Sequence, residues 1–265
     1  MYEQLKSYIA EIGKNGLCVA FSGGVDSSLL LKAASQLNIK TVAVTFFTRL
    51  HPPADIQLAQ KLAAGFGVPL HIIEIDEFAD KRIAENPVNR CYLCKRLLFS
   101  SLIKFAEENK LGCIIDGTNA DDLTQYRPGL QALRELNIKS PLAELNISKQ
   151  QVRALAAQLG IEVANRPSAP CLATRLPYNT KLDFGLLEKI SAGEDYLKAL
   201  GFATVRLRLH NDIVRIEVPK ADFAAFIGYA DIIAQRLKQM GFVYITLDIE
   251  GFRSGSMDIY INKPN

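Results

Sequence analysis

The chain has 265 residues, 49 % of them apolar and 22 % charged, with 31 lysines and arginines against 28 aspartates and glutamates. This is the composition of a soluble globular chain of one large or two modest domains, and it excludes disorder, a collagen repeat or a disulfide-knotted miniature. The net charge of +3 is too small to argue for a polyanionic partner, and no apolar run approaches the roughly 18 residues of a membrane span.

Leu5, Ile9 and Ile12 have helical spacing and predict a short amphipathic opening helix. Leu17 to Phe21 is apolar on both faces and reads as a fully buried strand. Ser22-Gly23-Gly24 breaks it, and a helix follows from Val25 to Leu37. The pattern then repeats: a strand over Ile39 to Phe47, a helix over Ala54 to Phe66, a strand over Leu70 to Ile75, a helix from Cys91 to Asn109 and a strand over Cys113 to Asp116. Strands alternating with helices imply parallel βαβ units, whose ligands sit at the carboxyl ends of the strands. Ser148 caps a helix from Lys149 to Leu159, which Gly160 closes. An aperiodic stretch, Ala164 to Asn179, then carries Pro167, Pro170 and Pro177 and places a domain boundary between 179 and 180. Beyond it the pattern predicts a helix over Leu182 to Leu200, strands over Thr204 to Leu209 and Ile213 to Val218, one long helix from Ala221 to Met240, and strands over Val243 to Glu250 and Ser256 to Ile261. Val214, Ile216 and Val218 share one strand face, with Arg215 and Glu217 on the other, as in a sheet covered on one side. The expected fold is an α/β parallel-sheet domain, residues 1–179, with a smaller α+β domain, residues 180–265.

The strongest local signal is Ser22-Gly23-Gly24-Val25-Asp26-Ser27-Ser28 between a buried strand and a helix. Two glycines let backbone approach a phosphate, three hydroxyls offer bonds, and the helix start supplies unpaired N–H groups. A glycine–serine turn with no ligand is the plain alternative. No lysine follows the glycines, so this is not the phosphate loop of the nucleoside triphosphatases. The run resembles the SGGxDS motif of the PP-loop ATP pyrophosphatases, the adenine nucleotide alpha hydrolase-like fold. That resemblance implies ATP cleaved between its α and β phosphates, with Ala20, Ser22, Gly23, Gly24, Val25, Asp26, Ser27 and Ser28 around the nucleotide and Asp26 also catalytic. Asp116-Gly117-Thr118-Asn119-Ala120-Asp121-Asp122 is similar to a second stretch of the same superfamily. Asp121 and Asp122 are its candidate Mg²⁺ ligands, unless the stretch is only a polar strand exit. Pro141 to Leu145, with Val152 to Ala156, resembles a packing segment of such proteins.

Five cysteines in a chain without a recognisable export signal favour reduced thiols and a cytoplasmic location. Cys18 and Cys113 lie in strands and read as core fillers. Arg90-Cys91-Tyr92-Leu93-Cys94-Lys95 sets two thiols three apart at a helix start, and Cys171 lies in the proline-rich Arg166 to Tyr178 loop. Together with Val205-Arg206-Leu207-Arg208, these motifs resemble the LarE family over the whole chain. The family comprises ATP-dependent sulfur transferases of nickel-pincer nucleotide synthesis, which convert the carboxylates of pyridinium-3,5-biscarboxylic acid mononucleotide to thiocarboxylates. The resemblance implies Cys171 as the sulfur-bearing catalytic residue. It supplies the sulfur itself or joins Cys91 and Cys94 in holding a 4Fe–4S cluster. A zinc with His51 or His71 as fourth ligand, or a metal-free turn, are the alternatives. The resemblance further implies Thr174, Arg175, Glu194, Arg206, Arg208, Glu217 and Arg253 around the substrate, a homo-oligomer, and neighbouring enzymes of the same synthesis as partners. A bland reading makes Arg206, Arg208 and Arg215 a solvated sheet face paired with Glu217, and His210 a surface residue. Rival functions are an ammonia-dependent synthetase, which has no use for Cys171, and a tRNA thiolation enzyme, against which the small charge argues. A nucleotide-binding regulator without chemistry is a third. No nucleic acid and no membrane are expected as partners.

Overall fold

Leu17 to Ala20 offers no polar face, so it can be stable only with strands on both edges and helices on both sides. In the computed structural model, which describes residues 1–51, 53–125, 127–167, 170–253 and 255–258, it is an inner strand of a parallel sheet. The order is β3 (Leu70–Ile75), β2 (Thr41–Thr48), β1 (Leu17–Ala20), β4 (Cys113–Ile115), with Cys18 opposite Val42 on one side and Ile114 on the other. The chain steps outward from β1 to β2 and β3, then returns to lay β4 on the free edge of β1. The reversal between β1 and β4 opens a crevice at their carboxyl ends, where ligands of such sheets bind.

Helices cover both faces. α1 (Tyr2–Ile12), α2 (Val25–Ser35) and α3 (Pro53–Gly65) are followed by the short α4 (Lys81–Ala84), then α5 (Arg90–Glu108), α6 (Gly129–Glu135), α7 (Pro141–Glu144) and α8 (Lys149–Gln158). One apolar cluster joins α1, α2 and α8 to β1; a second sets Leu98, Phe99 and Leu102 of α5 and Leu133 of α6 against Cys18 and Val44. Leu29, Leu30 and Leu31 are consecutive and fully buried, so α2 is enclosed on nearly all sides. Each such leucine contributes about 1.5–3 kcal/mol. A rigid α2 gives its amino terminus a fixed aim. Ser148 caps α8 reciprocally with Gln151, as its position predicts.

The chain divides into two compact units, Met1–Glu77 with Asn89–Ser168, and Phe78–Val88 with Ala169–Asn265. The division lies earlier than the expected 179–180 boundary, and the Phe78–Val88 segment belongs with the second unit. There Asn179 N–H bonds Asn86 O (2.8 Å), Leu182 N–H bonds Ala84 O (2.7 Å), and Phe78 packs edge-on against Phe184. Those bonds span about ninety residues of sequence, which local periodicity does not register.

The second unit contains α9 (Phe184–Ala199) and a sheet of β5 (Arg206–His210), β6 (Ile213–Glu217) and β7 (Tyr244–Leu247), with β5 antiparallel and β7 parallel to β6. The predicted single helix over 221–240 is instead a turn of 3₁₀ helix, α10 (Phe223–Gly228) and α11 (Ala230–Gln239). The break falls at Gly228 and Tyr229, where glycine is the weakest helix former after proline, and Phe226 and Tyr229 both set their rings edge-on to Phe202. The predicted strand over 256–261 is not formed at Ser256 to Asp258, which are turn and coil, and its remainder lies outside the described residues. Among the described residues, no helix is long and apolar enough to cross a membrane.

Gly193 of α9 lies against β5 and α11: a Cβ there would stand 2.7 Å from Leu207 Cδ2 and 3.3 Å from Leu237 Cδ2. Gly193→Ala is expected to destabilise the chain by about 1–2 kcal/mol through overpacking, measured by calorimetry. A parent-like melting temperature would show that β5 and α11 separate without cost.

Candidate functional site

The loop leaving β1 is built to leave donors open. Gly23 has φ +70°, a conformation glycine adopts freely, and Gly24 is the N-cap of α2. No side chain caps that helix, so its first N–H groups and positive dipole end face outward. Ser22 Oγ accepts from Gly24 N–H (3.3 Å) and lies 3.2 Å from Ser27 Oγ, which donates to Gly24 O (3.1 Å). The Ser28 hydroxyl is fully buried without a hydrogen-bond partner. Half-buried Ala20 ends β1, and Val25 points into the core, so both offer only backbone here. An orphaned hydroxyl, an uncapped helix and a glycine cradle suit a phosphate group.

The second strand-exit loop lies directly against the first. A Cβ on Gly117 would stand 3.1 Å from Asp26 Cβ and Ser27 N. Asn119 donates from Nδ2 to Asp26 Oδ1 (3.1 Å), and Lys149 Nζ bonds Asp26 Oδ2. Asp116 is buried and takes bonds from Ser140 Oγ (2.6 Å), Thr118 Oγ1 (2.7 Å) and Lys95 Nζ (3.4 Å). Asp121 and Asp122, the candidate Mg²⁺ ligands, each bond backbone in this structure. Asp121 Oδ2 accepts Lys149 N–H at the start of α8 (3.0 Å); Asp122 accepts Asn119 N–H (3.1 Å) and pairs with Arg127 (2.9 Å). Both carboxylates help to close the loop. Lys149, Lys95 and Asn119 are the residues that sequence reasoning passed over. One signal was available for Lys149: a lysine in the first turn of a helix opposes the dipole, and such a local misfit marks functional positions.

In the second unit the polar strand face is buried, not solvated. Arg206, Arg208, Glu194 and Glu217 are each less than 7 % exposed. Arg175 grips Glu194 with two bonds (2.8 and 2.9 Å), and Glu194 Oε1 also accepts Leu207 N–H. Arg208 donates to Glu217 Oε2 (3.2 and 3.1 Å) and to Thr174 O (2.8 Å). Arg206 lies over the Phe252 ring, and burial, with Arg175 near, pulls its guanidinium down to about 10. Arg215 and Arg253 join through Asp248, and Arg215 reaches Glu217 (3.1 Å). His210 is half-buried and accepts from Arg215 (3.3 Å), rather than lying free on the surface. The network ends at the thiol loop: Cys171 O accepts from Thr174 N–H (3.1 Å), Thr174 Oγ1 (2.8 Å) and Arg175 Nη1 (3.3 Å). Thr174, Arg175, Glu194, Arg206, Arg208, Glu217 and Arg253 thus form one system with the backbone that carries Cys171.

Cys91 and Cys94 are one helical turn apart at the start of α5, both half-buried, with Arg90 Nη2 3.6 Å from Cys91 Sγ and Cys94 packed on the apolar cluster. Two thiols beside a guanidinium suit two ligands of an anionic cluster; Cys171 belongs to the other unit. Within neither unit, among the described residues, do three His, Cys, Asp or Glu side chains gather as a metal site. His51 Nδ1 bonds Thr48 Oγ1 (2.8 Å), and His71 stacks on Phe105 (4.4 Å). Cys18 is a core filler, its thiol pushed up to about 12 by burial with Cys113 nearby; half-buried Cys113 is raised by burial, against the pull of Lys139.

The family model for NAD synthase matches residues 1–185. The chain is 37 % identical to pyridinium-3,5-bisthiocarboxylic acid mononucleotide synthase of Lactiplantibacillus plantarum, covering 92 % of this chain and 90 % of that one. It is 36 % identical to an uncharacterized protein of Synechocystis, over 98 % of each. A tRNA-specific 2-thiouridylase of Syntrophotalea carbinolica is 29 % identical over 57 % of this chain and 52 % of its own. The solved NMN synthetase of Francisella tularensis aligns with a TM-score of 0.52 at 19 % identity, over 63 % of this chain and 74 % of that one, and shows the same fold. The parallel-sheet architecture expected from the sequence is thereby confirmed.

Burial alone would push the Glu194 carboxyl up; the Arg175 bonds and charge, Leu207 N–H and Arg206 outweigh it and hold it below the usual range. A carboxyl depressed on folding contributes stability above its unfolded value and loses it as pH falls toward the folded one. The melting temperature should therefore drop on acidification through the carboxylate range, less so in Glu194→Gln. At neutral pH that variant leaves buried Arg175 uncompensated and should cost about 3–5 kcal/mol; an unaltered denaturation midpoint would contradict the pairing.

Proposed function

This chain belongs to the NAD synthase family and, within it, to the LarE family of ATP-dependent sulfur transferases, and we propose that it adenylates the carboxylates of pyridinium-3,5-biscarboxylic acid mononucleotide and exchanges an oxygen of each for sulfur. The observation that carries this reading is similarity along nearly the whole chain, both units included, to the Lactiplantibacillus synthase. A carboxylate is a poor electrophile. Attack of its oxygen on the α-phosphorus of ATP breaks the α–β bond, releases pyrophosphate and leaves an acyl adenylate. The open N–H groups of α2, with Ser22, Ser27 and Ser28, receive the phosphates, and Lys149 sets a cation beside them. Arg175, Arg206 and Arg208 share a buried face with Glu194 and Glu217, and guanidinium forks grouped in this way suit the phosphate of a mononucleotide. A sulfur nucleophile then attacks the acyl carbon and displaces AMP.

Cys171 is the residue to which we assign the sulfur step, on a loop whose backbone Arg175 and Arg208 brace. Cys91, Cys94 and Cys171 would hold a 4Fe–4S cluster, which when bound supplies an iron with an open position able to carry an extra sulfide. The paired thiols of α5 favour this over a sacrificed Cys171, a route in which they have no part. The assignment places the protein among reduced thiols, in the cytoplasm.

Purified without oxygen, the protein is expected to be brown, to contain iron and sulfide, and to lose both in Cys91→Ser, Cys94→Ser or Cys171→Ser. A colourless protein that loses about 34 Da, one hydrogen sulfide, from Cys171 per sulfur delivered would establish the sacrificial route instead. With ATP and the biscarboxylic nucleotide, Asp26→Asn should slow pyrophosphate release on the order of 10²-fold. Cys171→Ala should yield no thiocarboxylate. Full turnover by Cys171→Ala would move the chain to an ammonia-using synthetase, and strong salt-dependent tRNA binding to a tRNA thiolase.

A further inference from the structure

Asp26 is the only carboxylate of the phosphate loop, and its geometry is not set by that loop. One oxygen meets Lys149 from α8; the other accepts the Asn119 side-chain amide at 3.1 Å. Asn119 is 3 % exposed and fully committed. Its Oδ1 accepts Asp121 N–H (3.0 Å) and its backbone N–H donates to Asp122 Oδ2 (3.1 Å), so it caps the 3₁₀ segment Ala120–Thr124. Asp121 in turn caps Lys149 N–H (3.0 Å). Gly117 permits this approach, since a side chain there would meet Asp26 and Ser27 at 3.1 Å.

We infer that Asn119 is a positioning residue for ATP activation, its amide holding Asp26 Oδ1 so that Oδ2 and Lys149 present one fixed pair to the incoming MgATP. A buried asparagine need not do this. A cap requires only its acceptor oxygen, and serine serves as well. The amide donor is spent on Asp26 alone, and a bond from a neutral donor to a carboxylate is among the stronger single hydrogen bonds. The inference rests on the ATP reading above and adds to it the residue that couples the second strand-exit loop to the first.

Three substitutions separate capping from positioning. Asn119→Ser retains an acceptor for Asp121 N–H but is too short to reach Asp26. Asn119→Ala removes both bonds, and Asn119→Asp keeps the cap while facing Asp26 with a second carboxylate. KM for MgATP, read from pyrophosphate release, and melting temperature are measured for each. Positioning predicts that Asn119→Ser melts close to the parent yet raises KM on the order of tenfold. Asn119→Ala should match it in KM while melting lower, and Asn119→Asp should be the worst in KM. A merely structural asparagine predicts parental KM in Asn119→Ser and a defect in Asn119→Ala that follows its melting temperature; that result overturns the inference. A parent protein that neither binds MgATP nor releases pyrophosphate would instead overturn the ATP reading, which a normal parent with a normal Asn119→Ser leaves standing.

Discussion

Everything at the phosphate loop depends on β1 being an inner strand, with the chain reversing between it and β4. A parallel sheet must aim all its strand ends one way, and a reversal leaves two neighbouring exit loops with no connection packed between them. Here those loops are Ser22 to Ser28 and Asp116 to Asp122, and they nest closely enough that a Cβ on Gly117 would press on Asp26 and Ser27 at 3.1 Å. The apolar enclosure of α2 fixes the remaining variable, the direction of its bare amino terminus. Cohesion of the core and orientation of the donors are therefore one property. Leu29, Leu30 and Leu31 are structural residues, but they decide where the N–H groups point.

The second unit solves a different problem. Five arginines crowd a small sheet, and burying a guanidinium costs several kcal/mol unless its bonds are met. Glu194 and Glu217 meet that need for Arg175, Arg208 and Arg215 with every oxygen engaged: Glu194 by Arg175 and Leu207 N–H, Glu217 by Arg208, Arg215 and Ser256 (2.5 Å). Arginine suits this role better than lysine because its planar fork serves a carboxylate and a backbone carbonyl together. Arg208 does so, holding Glu217 with one side of the fork and Thr174 O with the other. Charges paired in this way also tie down the segment from Cys171 to Arg175, whose backbone carbonyls at Cys171 and Thr174 accept from Arg175 and Arg208.

Much of this was legible in the residue order. The buried strands, the helices between them, the phosphate loop and the separation of Cys18 and Cys113 from the other thiols all follow from local pattern. A run such as Leu17 to Phe21 can satisfy its backbone and side chains in few other ways. Local pattern misled where the neighbours were distant in sequence. The 221–240 helix breaks at Gly228 and Tyr229, and the rings on either side of Gly228 pack on Phe202. The Arg206 and Arg208 face alternates like a solvated sheet, yet Arg175 and Glu194 come from elsewhere in the chain to bury it.

The sequence by itself determined the class of fold, the anion-binding loop and the residue types available for activation and sulfur chemistry. Each of these rests on interactions within a few residues: a helix period, a strand alternation, a glycine turn. Only the tertiary structure decided which carboxylates close loops and which stand beside the phosphate loop. Asp121 and Asp122 look equivalent to Asp26 as text, but the first two accept backbone N–H groups of Lys149 and Asn119 while Asp26 meets the side chains of Asn119 and Lys149. Those partners lie 93 and 123 residues further along. Strand order brings them together, and strand order is a property of the folded sheet.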